Sequence, residues 1–259
     1  MESSEGGAGL PAQPFLGLVN TVTSHPWAMS PLDWLNLVRR LGRMRRRVIT
    51  RCRVHAQEVA EAHRVELVTF TYRPEDEWSS RHLSGCLSAY RNQARRDGLP
   101  YFRYEWVAEL QLARMKRRGE SAAHCLHYHM ILWTPAGYAF PKPDARGWWP
   151  WGMTNVEVAR NPVGYLAKYS SKVAGCDEEV RLPAGCRISG GGGLSEVGRR
   201  EAAWWLLPRY VREQFPEVGA RVSRARGGGW LNWDTGEWFP AVALAEVCAG
   251  GAHVASGGA

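Results

Sequence analysis

The stretch "HCLHYHMILW", residues 124–133, constrains this chain more than any other. It is mostly apolar, it follows the basic connection "ARMKRRGESAA", and it has the length of a strand buried in a sheet. Residues two apart on a strand share a face, so His127 and His129 project together while Tyr128 and Met130 point the other way. A buried imidazole needs a hydrogen-bond partner or a metal. Any fold that buries this strand must therefore serve two imidazoles on one face.

Two further stretches read as strands, "VELVTFTYR" (65–73) and "YFRYEWVAELQ" (101–111). The second is joined to the histidine strand by the basic connection, which predicts an antiparallel pair. Glu105 and Glu109 lie on one face of it, with Tyr101, Arg103, Val107 and Gln111. Either carboxylate can supply a third ligand. Two imidazoles and one carboxylate leave coordination positions open, which points to catalysis more than to structure.

Helical spacing marks three segments. In "WSSRHLSGCLSAYRNQARRDG", Leu83, Leu87, Tyr90 and Ala94 share a side and Gly98 is the stop. "NPVGYLAKYSSKVAG" (161–175) has Asn161 as cap, Pro162 at the first position and Gly175 past the end. Its Tyr165, Lys168, Tyr169 and Lys172 form one stripe, opposite the small or apolar Val163, Leu166, Ala167, Ser170, Val173 and Ala174. A third helix starts at Ser30-Pro31, with Leu32, Leu35, Val38 and Leu41 at helical spacing. It continues as "RRLGRMRRRVITRCR", which carries eight arginines between positions 39 and 53. Arg43, Arg45, Arg46 and Arg47 are candidate phosphate contacts there.

A short strand is expected near "TNVEVAR" (154–160), after the loop "RGWWPWG". Trp148, Trp149 and Trp151 of that loop are candidates to stack on unpaired bases. "GGGG" (190–193) reads as a flexible or tightly turning loop, and "EAAWWLLPRYV" as a short helix broken at Pro208. "GWLNWDTGEWF" reads as a hairpin turning at Asp234-Thr235-Gly236. The sum is an α+β fold, a central antiparallel sheet of four to five strands flanked by helices. The expected organisation is an unstructured segment (1–29), a basic helical segment (30–64), the main domain (65–210) and a C-terminal hairpin with a disordered tail (211–259).

Charge and cysteine usage fit this picture. A net charge of +8 and 13 tryptophans favour a nucleic-acid partner. Six scattered cysteines in a chain of 259 residues read as reduced thiols, hence a cytoplasmic protein. No apolar run approaches the roughly 20 residues of a membrane span, so no membrane is expected. A phenol with a pKa of about 10 attacks phosphorus poorly. An open metal shell and lysines beside it would supply what phosphodiester transfer to a tyrosine requires.

In that order, "VTFTY", "HYHMILW" and "YLAKYSSK" resemble the three motifs of the HUH endonucleases. They are most similar to the two-tyrosine rolling-circle replication initiators of single-stranded DNA phages and plasmids, over about residues 65–210. The resemblance implies an RRM-like palm with His127, His129 and Glu109 as ligands of Mg²⁺ or Mn²⁺, Glu105 being the fallback. It implies Tyr165 as nucleophile, Tyr169 as second nucleophile, and Lys168 and Lys172 as the accompanying lysines. "GCRISGGGGLS" is similar to the glycine-bearing segment that follows the third motif. The implied activity is nicking of single-stranded or supercoiled origin DNA, leaving a 5′-phosphotyrosine link and a 3′-OH primer. Two tyrosines would alternate, cutting and rejoining a unit-length circle.

Two departures stand out. His124 and Cys125 lengthen the approach to the histidines, and no G-x-x-x-x-G-K-[ST] is present, so a host helicase and DNA polymerase are the implied partners. The alternatives are a transposase or relaxase using the same site, a two-histidine-one-carboxylate iron oxygenase, and a non-catalytic nucleic-acid-binding module. That module would hold structural zinc through His124, Cys125, Cys176 and Cys186.

Overall fold

The computed structural model describes residues 31–59, 63–111, 125–172 and 183–241. The expected disordered ends, His124, Cys176 and the Gly175 helix stop lie outside the described residues.

The elements run α1 (Pro31–Glu58), β1 (His63–Tyr72), α2 (Ser80–Arg96), β2 (Arg103–Leu110), β3 (Leu126–Pro135), β4 (Gly152–Val158) and α3 (Pro162–Lys172). After them come β5 (Ser189–Gly192), α4 (Glu196–Trp205), α5 (Arg209–Gln214), β6 (Val222–Arg224), β7 (Trp230–Asn232) and β8 (Trp238–Phe239). β4-β1-β3-β2-β5 form one sheet of five strands, and every pairing in it is antiparallel. The fold is α+β, as expected. Among the described residues no helix is long and apolar enough to cross a membrane.

All eight residues of β2 and nine of the ten in β3 are buried, because helices cover both faces of the sheet. One face packs Val68, Phe70, Tyr72, Trp106, Tyr128 and Met130 under α2. Ser79 caps that helix by accepting from the Arg81 N–H. The other face packs Leu67, Val107, Ile131 and Trp133 under α1 and α3. α3 starts where its cap signal predicts: Asn161 Oδ1 accepts from the Gly164 N–H at 2.8 Å. A second cluster, with Trp204, Val211, Phe215 and Trp230, joins α4 and α5 to the small sheet β6-β7-β8. Its hairpin turns where expected, closed by Gly236 N–H to Asn232 O at 2.8 Å.

Two expectations need correction. Of Leu32, Leu35, Val38 and Leu41, the first three are exposed and only Leu41 is buried, joined on α1 by Met44, Val48 and Cys52. The apolar spacing continues past Leu41, and only these later turns reach the sheet. Likewise, Gly190–Gly192 are not loop but part of β5, which pairs through Tyr104↔Gly192, Glu105↔Gly191 and Trp106↔Gly190. The absence of side chains is what admits this edge strand: a Cβ on Gly191 would enter the Glu105 carboxylate. Gly193 then turns the chain at φ +87, with the Phe102 carbonyl where a side chain would sit.

Candidate active site

β1, β3 and β2 are adjacent, and their register sets the site. Thr71, His127 and Glu109 form one cross-strand row; Thr69, His129 and Val107 form the next. All of these lie on the α1–α3 face. His127, His129 and Glu109 are each only 5% exposed.

The imidazoles are held on their inner nitrogens. His129 Nδ1 lies 3.1 Å from Thr69 Oγ1. His127 Nδ1 lies 3.1 Å from Gln111 Nε2 and 3.5 Å from Thr71 Oγ1. On its outer side His129 Nε2 approaches Glu109 Oε2 to 2.5 Å. An Nε2–H of the imidazole donating to the carboxylate accounts for so short an approach. Among the described residues, no group of three or more His, Cys, Asp and Glu side chains is arranged to hold a metal ion.

α3 closes the site from above. The Tyr169 ring stacks on the His129 imidazole, with centroids 3.5 Å apart and planes 8° from parallel. Lys168 is exposed, and its Nζ lies 5.7 Å from the Tyr169 ring centroid. Tyr165, one turn earlier, is half-buried against the α1–α3 cluster with Val163. Lys172 ends α3, and its side chain lies outside the described residues.

Glu105 is differently engaged. It pairs with Arg51 of α1, and His55 Nε2 lies 3.5 Å from the same oxygen. His55 stacks on Trp133 at 4.5 Å, and burial lowers its pKa. The two candidate carboxylates thus share a face but face different neighbours.

The candidate DNA contacts separate. Arg43, Arg45, Arg46 and Arg47 are exposed on α1. Trp149 is wholly buried on the α2 face, where its Nε1–H donates to Thr71 O at 3.1 Å. Trp148 packs edge-on against Tyr90, and Trp151 stacks on His82 at 3.6 Å. These tryptophans are packed on the side of the sheet away from the histidines. Of the proposed zinc ligands, Cys186 packs in the α2-side cluster and Cys125 is buried.

Sequence reasoning assigned no role to Thr69, Thr71 or Gln111. The signal was available: "VTFTY" alternates, so both threonines share a face, but only the pairing register sets that face beside the histidines.

Residues 65–174 match the family model of the ORF2-type replication-associated proteins. The match makes this stretch similar to a replication-associated family. It begins in β1 and ends just beyond α3, so it spans both histidines, Glu109 and both tyrosines. No curated protein and no solved structure matches the chain.

Proposed function

We propose that this chain is a rolling-circle replication initiator that nicks single-stranded or extruded origin DNA and stays joined to it through a tyrosine. One arrangement carries the reading. Tyr169 stacks on His129 at 3.5 Å while Glu109 meets the same imidazole at 2.5 Å, so a phenol and a carboxylate–imidazole pair share one small space.

His127, His129 and Glu109 are the residues that would hold a Mg²⁺ or Mn²⁺ ion. Their donor types suit such an ion, two imidazoles and a carboxylate on one face of adjacent strands, and Glu109 would exchange its contact with His129 Nε2 for the metal. Such an ion would supply Lewis-acid polarisation of the scissile phosphate. The remaining chemistry falls to the chain's own groups. The Lys168 ammonium, 5.7 Å from the Tyr169 ring centroid, would offset negative charge on the phosphate. The phenol proton passes to solvent, a bond forms between the tyrosine oxygen and phosphorus, and the P–O3′ bond breaks. The 3′ oxygen departs and takes a proton from water. A 5′-phosphotyrosine and a free 3′-OH primer result. Tyr165 lies one turn from Tyr169, about 6 Å along the axis. The two phenols can therefore serve successive transfers, with Tyr169 already in contact with the imidazole.

The test is a covalent-adduct assay on circular single-stranded DNA carrying the origin, with Mg²⁺ or Mn²⁺. A denaturation-resistant protein–DNA band that requires metal and disappears in the Tyr165→Phe/Tyr169→Phe double variant is expected. Each single variant then reports which phenol attacks first. DNA binding without any adduct in either metal would overturn the reading.

A further inference from the structure

A cluster of arginines lies outside this site. Along α1, Gly42, Arg45, Ile49, Arg53 and Gln57 recur at helical spacing, about a quarter turn from the residues that α1 buries on the sheet. That stripe forms one wall of a cavity of about 750 Å³, whose other wall carries Trp205 and Arg212. Four arginines line it (Arg45, Arg46, Arg53 and Arg212), and no acidic residue does.

The two walls are tied together. The Arg46 guanidinium donates to the carbonyls of Trp205 and Leu207, at 3.0 and 3.1 Å, pinning α1 to the end of α4. The Arg212 guanidinium sits 5.5 Å from the Trp204 ring centroid and 5.2 Å from that of Trp205. Its Nε is buried with no hydrogen-bond partner. Trp205 is 42% exposed, with Nε1–H directed to Glu201 at 3.3 Å, so the indole is oriented and still accessible.

We infer that this cleft is a second nucleic-acid site, a groove that binds single-stranded DNA by seating phosphates on Arg45 and Arg53 and stacking a base on Trp205. An exposed indole among arginines suits an unpaired base, because bases in a duplex already stack on each other. Guanidinium groups without acidic neighbours suit phosphodiester oxygens. The choice of DNA over RNA rests on the replication reading above. The groove also assigns the aromatic partner of the arginine helix to Trp205, since Trp148, Trp149 and Trp151 are packed elsewhere.

The experiment is fluorescence anisotropy of a labelled single-stranded oligodeoxynucleotide against the full chain, titrated at several salt concentrations. Arg45→Ala/Arg53→Ala should weaken binding about tenfold and flatten the log–log salt slope by about 1.4, the share of two phosphate contacts on a single strand. Trp205→Ala should weaken binding about fivefold or more, and Trp205→Phe should recover part of it while keeping a ring in place. Arg95→Ala/Arg96→Ala, on exposed α2, should leave affinity unchanged. Equal losses from both arginine pairs would overturn the groove in favour of diffuse charge. Unchanged binding in the groove variants would overturn it outright, and tighter binding of the matching RNA would overturn the DNA assignment. The covalent-adduct assay fails independently: groove-dependent binding without an adduct sinks the nicking reading alone, and an adduct with groove-independent binding sinks the groove alone.

Discussion

The face of the sheet under α2 holds Phe70, Tyr72, Trp106, Tyr128 and Trp149, whereas the face under α1 and α3 holds Thr69, Thr71, Glu105, Glu109, His127 and His129. Apart from Trp149, which the loop before β4 contributes, the same three strands supply both. On the aromatic face three polar tips find local partners: Tyr72 hydroxyl with His82 Nδ1 at 3.2 Å, Trp78 Nε1–H to Tyr128 hydroxyl at 2.5 Å, and Trp149 Nε1–H to a backbone carbonyl. Burial pushes the Tyr72 and Tyr128 phenols well above their ordinary pKa, so they stay neutral and structural. On the polar face ionisable groups meet one another, His129 with Glu109 and Glu105 with Arg51, beside the hydroxyls of Thr69 and Thr71, and Tyr169 comes from a separate helix to stack on His129. A two-residue period lets one strand build a core on one side and a reactive surface on the other, and a one-residue slip would exchange them.

That contrast can be broken most severely at His129. His129→Ala should abolish the covalent adduct, a loss of at least about 100-fold, while circular dichroism still reports the fold. Retention of adduct would make the polar face structural like its opposite. Trp149→Ala should do the reverse, costing about 3–5 kcal/mol in urea unfolding. Its surviving folded fraction should form adduct at the normal rate. A change in rate per folded molecule would mean that the two faces are coupled.

A smaller effect is expected at Glu58, where Arg103 and Ser195 join α1 to β2 and α4. Burial alone would raise the Glu58 pKa, but hydrogen bonds from Ser195 and Arg103 outweigh it and hold the carboxyl below its ordinary value. The folded state thus binds its proton less readily than the unfolded chain. This stabilisation is present above the unfolded pKa and is lost as pH falls through the folded one. Glu58→Gln should cost about 1–2 kcal/mol at neutral pH and progressively less as the medium is acidified below the ordinary glutamate range. A difference independent of pH would show that the charge is irrelevant to this junction.

The finest test is Thr69→Val, which keeps the shape and removes the oxygen 3.1 Å from His129 Nδ1. Metal dependence of the adduct should shift about tenfold toward higher Mn²⁺ with little change in thermal stability. An unchanged metal requirement would place Thr69 with the packing residues.

Much of this was legible in the chain itself, because it depends on local period and capping. The alternation of "HCLHYHMILW" put both histidines on one face, and the Asn161-Pro162 cap began α3 where it begins. The Tyr/Lys stripe was visible at helical spacing. The difference between Glu105 and Glu109 was not, since both obey the same parity. It arises because Arg51 and His55 of α1 reach one of them and His129 the other.

Other features belong to tertiary structure alone. Four glycines in a row carry no strand signal, because glycine has no side chain to pack and loses the most entropy on folding. Gly190–Gly192 become β5 only because β2 offers an unpaired edge and Glu105 and Trp106 fill the space where side chains would stand. The tryptophans of "RGWWPWG" and Trp205 are chemically identical in sequence, and only packing buries Trp149 while leaving Trp205 accessible beside arginines. Period, caps and charge were set by neighbours along the chain, which is why sequence alone determined them. Which carboxylate meets which imidazole, and which indole stays open, depended on residues far apart in sequence that only the folded sheet and its helices bring into contact.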